Sequence, residues 1–329
     1  MNDLKIQTRE AKQFVGNTTE TILNSALKSG LVFEYSCKTG QCGVCKTKVI
    51  SGRVTELQEQ LALTEHDRME NKVLTCCCAP TSDLLIDAED LAALHGIDIK
   101  TLPCRIKQLT RFSDELISVT LRLPPTAHFK FLEGQYIDII GPKSIRRSYS
   151  IASTAEHSEL VLYIKRFENG QMSDYWFNQA KDNDLLRIEG PKGTFFLRDS
   201  KQDLIFLATG TGIAPIISIL SGLDNDPDFV QSGTISLYWG NRFPEDFFWT
   251  HSFKKLQVAV NYVLSRKEDS WPHQTGYVQN VALESGHDMA RSAVYACGSN
   301  MMIKSAQESF LAAGLAENKF YSDAFVQSY

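Results

Sequence analysis

The sequence of 329 residues predicts a multidomain protein of three successive folds: a small α+β domain over residues 1–95, an antiparallel β-barrel over residues 96–200, and a doubly wound α/β domain over residues 201–329. Three observations carry this expectation. The chain is longer than one hydrophobic core usually fills. Six of its eight cysteines gather in two tight groups, at positions 37–45 and 76–78. Beyond them, short alternating segments give way from residue 203 to strands that alternate with helices.

Composition narrows the function classes. With 43% hydrophobic and 22% charged residues the chain is ordinary for a globular protein, and a formal net charge of −5 offers polyanions no general attraction. Nucleic acid is therefore a poor candidate partner. No apolar run approaches the roughly 18 residues of a membrane span, and the start, "MNDLKIQTREAKQF", lacks a basic-then-apolar signal pattern. A cytoplasmic protein is expected, and in that reducing compartment eight cysteines argue for metal or redox chemistry over disulfides.

In "EYSCKTGQCGVCKTKVISG", residues 34–52, Cys37, Cys42 and Cys45 follow a Cys-x4-Cys-x2-Cys spacing, and another cysteine comes about thirty residues later. This is the spacing of a plant-type 2Fe-2S ferredoxin, whereas structural zinc usually shows two short pairs. Gly40 and Gly43 suit a loop that wraps a cluster, because they relieve the limits on φ and let backbone amides approach the sulfides. Unliganded buried cysteines are the plain alternative. Around the loop, "LKIQTRE" predicts a strand, "TTETILNSALKSG" a helix stopped by Gly30, and "CKTKVISGRV" a returning strand, the pattern of a β-grasp fold.

Three adjacent cysteines, Cys76, Cys77 and Cys78, leave the fourth ligand open. The segment "VLTCCCAPTSDLLID" resembles the ferredoxin stretch in which Leu-Thr-Cys supplies that ligand ahead of a Pro-Thr-Ser-Asp turn, and the resemblance implies Cys76. If the segment is extended, Cys77 points to the opposite face and cannot replace Cys76 without a register change. Cys78 would share the face but sit too far along.

The next stretches, "CRIKQLTRF", "ELISVTLRLP", "GQYIDIIGP", "RRSYSIAS", "ELVLYIKRF" and "LLRIEGPKGTFFLRD", are separated by Gly, Pro, Asn and Asp turns and predict a six-stranded barrel. Within "RRSYS", Arg147 and Tyr149 face one way and Ser148 and Ser150 the other, so a cation suited to pyrophosphate and an aromatic ring suited to another ring address one ligand. A polar barrel edge would show the same pattern. The partner stretch "YIKRFENGQMSDYWFN" adds Tyr163, Ile164 and Lys165, and Gly170-x-x-Ser173 opens a helix whose first amides suit a phosphate.

The α/β part begins with the strand "LIFLAT", a glycine turn and the helix "APIISILSGL", and continues through the strands "TISLYWG", "NYVLSR" and "AVYACGS" to the helix "NMMIKSAQESFLAAG". Gly210-Thr211-Gly212 departs from the G-x-G-x-x-G fingerprint, since Pro215 takes the third glycine's place. Proline in a first helical turn wastes no amide, and the glycines allow close approach of a nicotinamide nucleotide. Cys297 and Gly298 end a later strand, where open α/β sheets bind ligands, although a buried cysteine is the plainer reading. The terminal "FYSDAFVQSY" reads as the closing edge of a sheet.

In this order, Arg147-Ser148-Tyr149-Ser150, Gly170-Gln171-Met172-Ser173, "GPKGTFFLR", "LATGTGIAP" and "YACGS" resemble the ferredoxin-NADP reductase superfamily. With the N-terminal module, the chain resembles the reductase components of bacterial ring-hydroxylating and multicomponent oxygenase systems. The resemblance implies FAD, with Arg147 at the pyrophosphate, Tyr149 against the isoalloxazine, Ser150 near flavin N5, and Gly170 to Ser173 at the phosphates. It also implies Cys297 beside the nicotinamide as a positioning group, and Phe325 over one flavin face with Asp323 close by. The implied activity is NAD(P)H oxidation with electron transfer: hydride brings two electrons and a 2Fe-2S cluster takes one, so a flavin must stand between them.

Ser265-Arg266-Lys267 stand where superfamily members meet the adenosine ribose, and Arg266 there would pair with a 2′-phosphate. Similar reductases use NADH, so NADH is the expected donor and NADPH the alternative. The stretches "LRLPPTA", "GQYIDII", "LLRIEGPKGTFF" and "GLAENKFYSDAFV" resemble the reductases of 3,6-dideoxyhexose biosynthesis. That likeness implies an electron-accepting partner enzyme, a pyridoxamine-phosphate-dependent dehydratase acting on a CDP-sugar, with an aromatic-ring dioxygenase or multicomponent monooxygenase as the alternative acceptor. A redox sensor and a self-contained oxidoreductase are the other classes considered, and there is no added pocket-forming segment between the motifs to favour the latter.

Overall fold

A computed structural model describes residues 3–156, 159–198, 201–266, 268 and 270–325. The chain divides into two compact units, Met1–Ile97 and Asp98–Tyr329. Lys267 of the expected ribose segment and Val326 onward of the terminal one lie outside the described residues.

The first unit comprises β1 (Leu4–Thr8), β2 (Gln13–Gly16), α1 (Ile22–Lys28), β3 (Lys46–Ser51), β4 (Val54–Glu56), α2 (Glu65–Met69), β5 (Lys72–Leu74), β6 (Cys78–Pro80) and β7 (Leu84–Ile86). The main sheet runs β2-β1-β7-β3-β5, with β1 and β7 parallel, and β4 and β6 form a separate ribbon. The Thr21 hydroxyl accepts from the Asn24 amide and starts α1. Gly30, at φ 79°, turns the chain after it. The helix buries Ile22, Leu23 and Ala26 in a core with Ile6, Phe14 and Ile86, which is the β-grasp arrangement. The single returning strand expected from "CKTKVISGRV" is in fact two strands in different sheets. Gly52 breaks it at φ 101°, where a Cβ would stand 2.2 Å from the Asp83 carbonyl oxygen.

The second unit opens with β8 (Lys100–Arg111), β9 (Leu116–Arg122), β10 (Tyr136–Ile140), β11 (Arg146–Ser150), β12 (Glu159–Lys165), α3 (Gln171–Asp174) and β13 (Leu185–Lys192). These strands pair antiparallel in the order β11-β10-β13-β8-β9-β12. Just past β11, the Ala152 amide donates to the Val161 carbonyl at 2.8 Å and brings the two edges together into a near-closed barrel. The helix expected after Gly170 is one turn of α-helix followed by a π-helical turn, Tyr175–Gln179, which sinks Trp176 and Phe177 into the barrel core. The final barrel strand stops at Lys192. Phe195, expected within it, instead packs into the core of the following layer.

That layer contains β14 (Asp203–Thr209), α4 (Ile213–Asn225), β15 (Ile235–Asn241), β16 (Val258–Leu264), β17 (Gln274–Thr275), α5 (Val278–Glu284), β18 (Ser292–Ser299), α6 (Asn300–Ala312) and β19 (Phe320–Phe325). The sheet is parallel throughout in the order β17-β16-β15-β14-β18-β19, and the direction of winding reverses at β14. The crevice at the carboxyl ends of β14 and β18 is therefore the ligand position of a doubly wound sheet. Barrel and sheet are stitched together within this unit. The Ser218 hydroxyl donates to the Ser153 carbonyl at 2.7 Å, and the rings of Tyr163 and Phe248 stand 4.7 Å apart.

Candidate cofactor-binding sites

Cys37, Cys42 and Cys45 lie between α1 and β3, and Cys76 in the turn between β5 and β6. The Cys45 thiol donates to Cys76 across 3.3 Å, and Cys37 is hydrogen-bonded to Cys42, so the four sulfurs form two pairs. The bond from Cys42 draws the Cys37 thiol down to about 5. The bonds from Cys45 and then Cys77 draw Cys76 down to about 3, with further help from the Gly40 amide, while Cys42 and Cys45 are pushed up. Around the four sulfurs, the Thr39 amide donates to Cys37 at 3.3 Å, and Gly40 adopts φ 76° where a Cβ would lie 2.3 Å from the Glu59 carbonyl oxygen. Behind them, Lys46 bonds Asp67 at 2.7 Å, and the Leu74 amide donates to the Gln60 side chain at 2.7 Å. Two pairs of soft donors fit a two-iron cluster, which takes two thiolates at each iron.

One expectation is corrected here. Cys76 and Cys77 do not alternate across a strand, because the Cys77 amide closes a turn onto the Leu74 carbonyl at 2.8 Å. A turn bends neighbouring side chains toward one side, and the two sulfurs stand 3.5 Å apart. Cys78 begins β6 opposite Glu56, and burial, then that carboxylate, push its thiol up to about 12.

On the barrel, Asp138 accepts from the Ser148 hydroxyl at 2.7 Å and pairs with Arg146 and Lys192. Arg146 is thereby tied to the barrel wall, whereas the Arg147 guanidinium donates to the Arg146 carbonyl at 2.7 Å. The Tyr149 hydroxyl accepts from the Trp176 indole at 2.9 Å, and the two rings meet edge to face, which fixes the phenol plane. Ser150 is buried at the end of the strand. A groove of about 840 Å³ runs past Gly170, Gln171 and Ser173, walled by Lys143, Ile145 and Arg166, but its lining does not reach Arg147 or Tyr149. The Ser173 hydroxyl accepts from the Phe167 amide at 2.9 Å and folds the loop that Gly170 begins. Met172 and Ile164 point into the barrel core, so only their backbones are available to a ligand. Tyr163 packs against Phe112 and Phe248, and Lys165, two residues along β12, lies on the same face of the strand. An oriented aromatic ring and a cation on the same strand fit a flavin dinucleotide, whereas the groove sets Lys143 and Arg166 against Asp114, Glu115, Glu168 and Asp174 and has no net positive charge.

At the crevice, Gly210-Thr211-Gly212 form a tight turn that runs directly into α4, whose third residue is Pro215. Gly210 adopts φ 56°, and a Cβ there would meet nothing within 4 Å, so this side of the turn is open. Gly212 faces the opposite situation, with a Cβ position 2.4 Å from the Cys297 carbonyl oxygen. Gly298, at φ 129°, abuts Thr209, whose hydroxyl accepts from the Ser299 amide at 3.0 Å. The Cys297 thiol is packed in the α/β core beneath the crevice, and burial, then Asp323, push it up. Phe325 ends β19 opposite Ser299 and is 39% exposed. Arg266 stacks over the Phe243 ring at 4.9 Å. An open glycine turn beside a second strand end fits a nicotinamide nucleotide.

Sequence reasoning did not single out three supporting residues. Trp176 orients Tyr149, Trp239 donates to the Gly210 carbonyl at 3.0 Å, and Gln58 donates to the Cys76 and Lys38 carbonyls. Only the aromatic density of "DYWF" and "LYWG" hinted at the first two, and nothing local marks Gln58.

The chain matches three family models: the 2Fe-2S iron-sulfur cluster binding domain over residues 6–81, the oxidoreductase FAD-binding domain over 103–197, and the oxidoreductase NAD-binding domain over 206–308. Fold and sites together define an NAD(P)H-dependent oxidoreductase, and the chain belongs to the ferredoxin-NADP-reductase-like iron-sulfur flavoproteins that carry an N-terminal 2Fe-2S domain. Within that family it is 41% identical, over 96% of both chains, to the CDP-6-deoxy-L-threo-D-glycero-4-hexulose-3-dehydrase reductase of Yersinia pestis. It is 35% identical to protein RfbI of Salmonella typhimurium, over 96% of this chain and 94% of that one. Its fold is that of the crystallised Amycolatopsis reductase GcoB, with a TM-score of 0.74, 23% identity and coverage of 98% and 99% of the two chains. Among the described residues no helix is long and apolar enough to cross a membrane.

Proposed function

We propose that this protein passes electrons from NADH through FAD and its 2Fe-2S cluster to a pyridoxamine-phosphate-dependent dehydratase acting on a CDP-linked 4-keto-6-deoxyhexose, in a cytoplasmic route to 3,6-dideoxyhexoses. The observation that carries this reading is the 41% identity, over 96% of both chains, to a reductase named for a CDP-6-deoxyhexulose dehydrase, against 28% to the toluate 1,2-dioxygenase electron transfer component of Pseudomonas putida. In this reading Cys37, Cys42, Cys45 and Cys76 hold the cluster. Arg147 neutralises the flavin pyrophosphate, Tyr149 packs on its ring, Ser150 lies near N5, and the Gly170–Ser173 loop seats the phosphates. Gly210 to Gly212 admit the nicotinamide nucleotide above Cys297 and Gly298, and Phe325 covers the flavin. Bound flavin supplies the exchange between a two-electron donor and a one-electron acceptor. NADH is the donor in this reading, on the likeness to reductases that use it, and the resting of Arg266 on the Phe243 ring is consistent with an arginine not reserved for a 2′-phosphate.

Removing the C3 hydroxyl from such a sugar takes loss of water and addition of two electrons. The motifs of this chain carry electrons, and the dehydration belongs to the partner. Incubated with that dehydratase, a CDP-4-keto-6-deoxyhexose and NADH, the protein should yield the 3,6-dideoxy product, with a higher kcat/KM for NADH than for NADPH. Absence of product, together with efficient reduction of an oxygenase component, would overturn the sugar assignment. A tenfold preference for NADPH that Arg266→Ala removes would overturn the choice of donor.

A further inference from the structure

Cys77 is completely buried, and its sulfur lies 3.5 Å from that of Cys76. Its surroundings decide which way a hydrogen bond between the two must run. The Gln58 amide nitrogen, 2.8 Å from the Cys76 carbonyl and 3.1 Å from the Lys38 carbonyl, is also 3.5 Å from the Cys77 sulfur, which shares one of its two protons in a longer, bifurcated contact. Cys77 thus has a donor on one side. The acceptors within reach of its own proton are the Cys76 sulfur and, at 3.7 Å, the Glu59 carbonyl. With iron bound, the Cys76 sulfur is anionic as well as nearer, and charged acceptors hold a proton about twice as strongly as neutral ones. Glycine at position 40 makes room for the thiol, because a Cβ there would stand 2.9 Å from it.

We propose that Cys77 is a positioning residue that donates its S–H to the iron-bound sulfur of Cys76 and so raises the reduction potential of the cluster, with Gln58 clamping both. Reduction adds negative charge that spreads onto the ligand sulfurs, and a proton donor aimed at one of them stabilises the reduced form more than the oxidised form. The turn at Leu74–Cys77 makes this possible, since in a strand the thiol would face away. The inference rests on the cluster reading of Cys37, Cys42, Cys45 and Cys76 and is independent of which protein takes the electrons.

The test is a dye-mediated redox titration of the full-length holoprotein, with the cluster followed by electron paramagnetic resonance and the flavin by absorbance. Cys77→Ala should retain the cluster and shift its midpoint negative by a threefold to tenfold change in equilibrium constant, roughly 30–60 mV for one electron. Cys77→Ser, which keeps a donor, should stay near the wild type, and the flavin couples should not move in either variant. Should Cys77→Ala fail to load, Cys77→Val fills the same space without a proton to give, and the same negative shift is expected. An unmoved midpoint in a loaded Cys77→Ala or Cys77→Val protein overturns the proposal. So does a cluster that survives Cys76→Ala but not Cys77→Ala, because Cys77 would then be the ligand. A wild-type chain that binds FAD yet gives no 2Fe-2S signal on reduction would instead sink the cluster reading itself.

Discussion

Replacing one sulfur by oxygen separates the cluster from the flavin. Cys76 pairs with Cys45 inside the unit Met1–Ile97, while Arg147, Tyr149 and the Gly210 turn all belong to Asp98–Tyr329. Cys76→Ser is therefore expected to lose the 2Fe-2S absorption and paramagnetic signal while FAD absorbance remains, because a hard oxygen donor poorly replaces a soft thiolate. Spectra of the purified variant check this. Cluster loss from Cys77→Ser combined with retention in Cys76→Ser would reverse the assignment. The grouping of Cys37, Cys42, Cys45 and Cys76, two sulfur pairs in the fold, was legible from spacing and from the likeness of "VLTCCCAP" to ferredoxins. The position of Cys77 was not, because strand parity says nothing about a segment that the fold bends into a turn.

Strand β11, which carries the proposed flavin contacts, is tied by charge to its neighbours. Arg146 bridges Asp138 at 3.2 Å and Glu189 at 2.6 Å, and Lys192 bonds the same two carboxylates, so one charge cluster spans β10, β11 and β13. Arg146 and then Lys192 pull the Glu189 carboxyl from 4.5 down to about 2, overcoming the opposing effect of burial. A depressed carboxylate stabilises the fold above its unfolded value. Its contribution is complete above about pH 4.5 and is lost as pH falls toward about 2. Glu189→Gln should lower the thermal midpoint at pH 7 by about 2–4 °C, given that a half-exposed pair of this kind is worth on the order of 1 kcal/mol after solvent screening. The difference from wild type should shrink steadily between pH 4.5 and pH 2 in melts of the two proteins. A gap that is constant with pH would exclude the ion cluster as its cause.

Two compact units with separate cores imply that the cofactors can be removed separately. Stripping iron from the full-length protein with a chelator should leave NADH–ferricyanide activity within about twofold, since flavin alone can serve that acceptor, while electron delivery to the partner enzyme falls more than about tenfold. Parallel loss of both activities would mean that the cluster supports the flavin unit as well. The tandem order of cofactor motifs was readable because each depends on local chemistry: three thiols in nine residues, Arg-x-Tyr on one strand, glycines before a helix. The short α5, the two-residue β17 and the break at Gly52 were not, because each is decided by a neighbour distant in sequence.

By itself the sequence determined the three folds in order, the clustering of the thiols and the glycine turn, since periodicity, spacing and turn chemistry act over a few residues. Tertiary structure alone decided that Met172 and Ile164 face the barrel core, that Trp176 holds Tyr149 in plane, and that Cys76 and Cys77 share one side of a turn. Those outcomes depend on which distant backbone closes against each segment, such as the Cys77 amide on Leu74 or Gly212 on Cys297, and packing of that kind leaves no periodic trace in the chain.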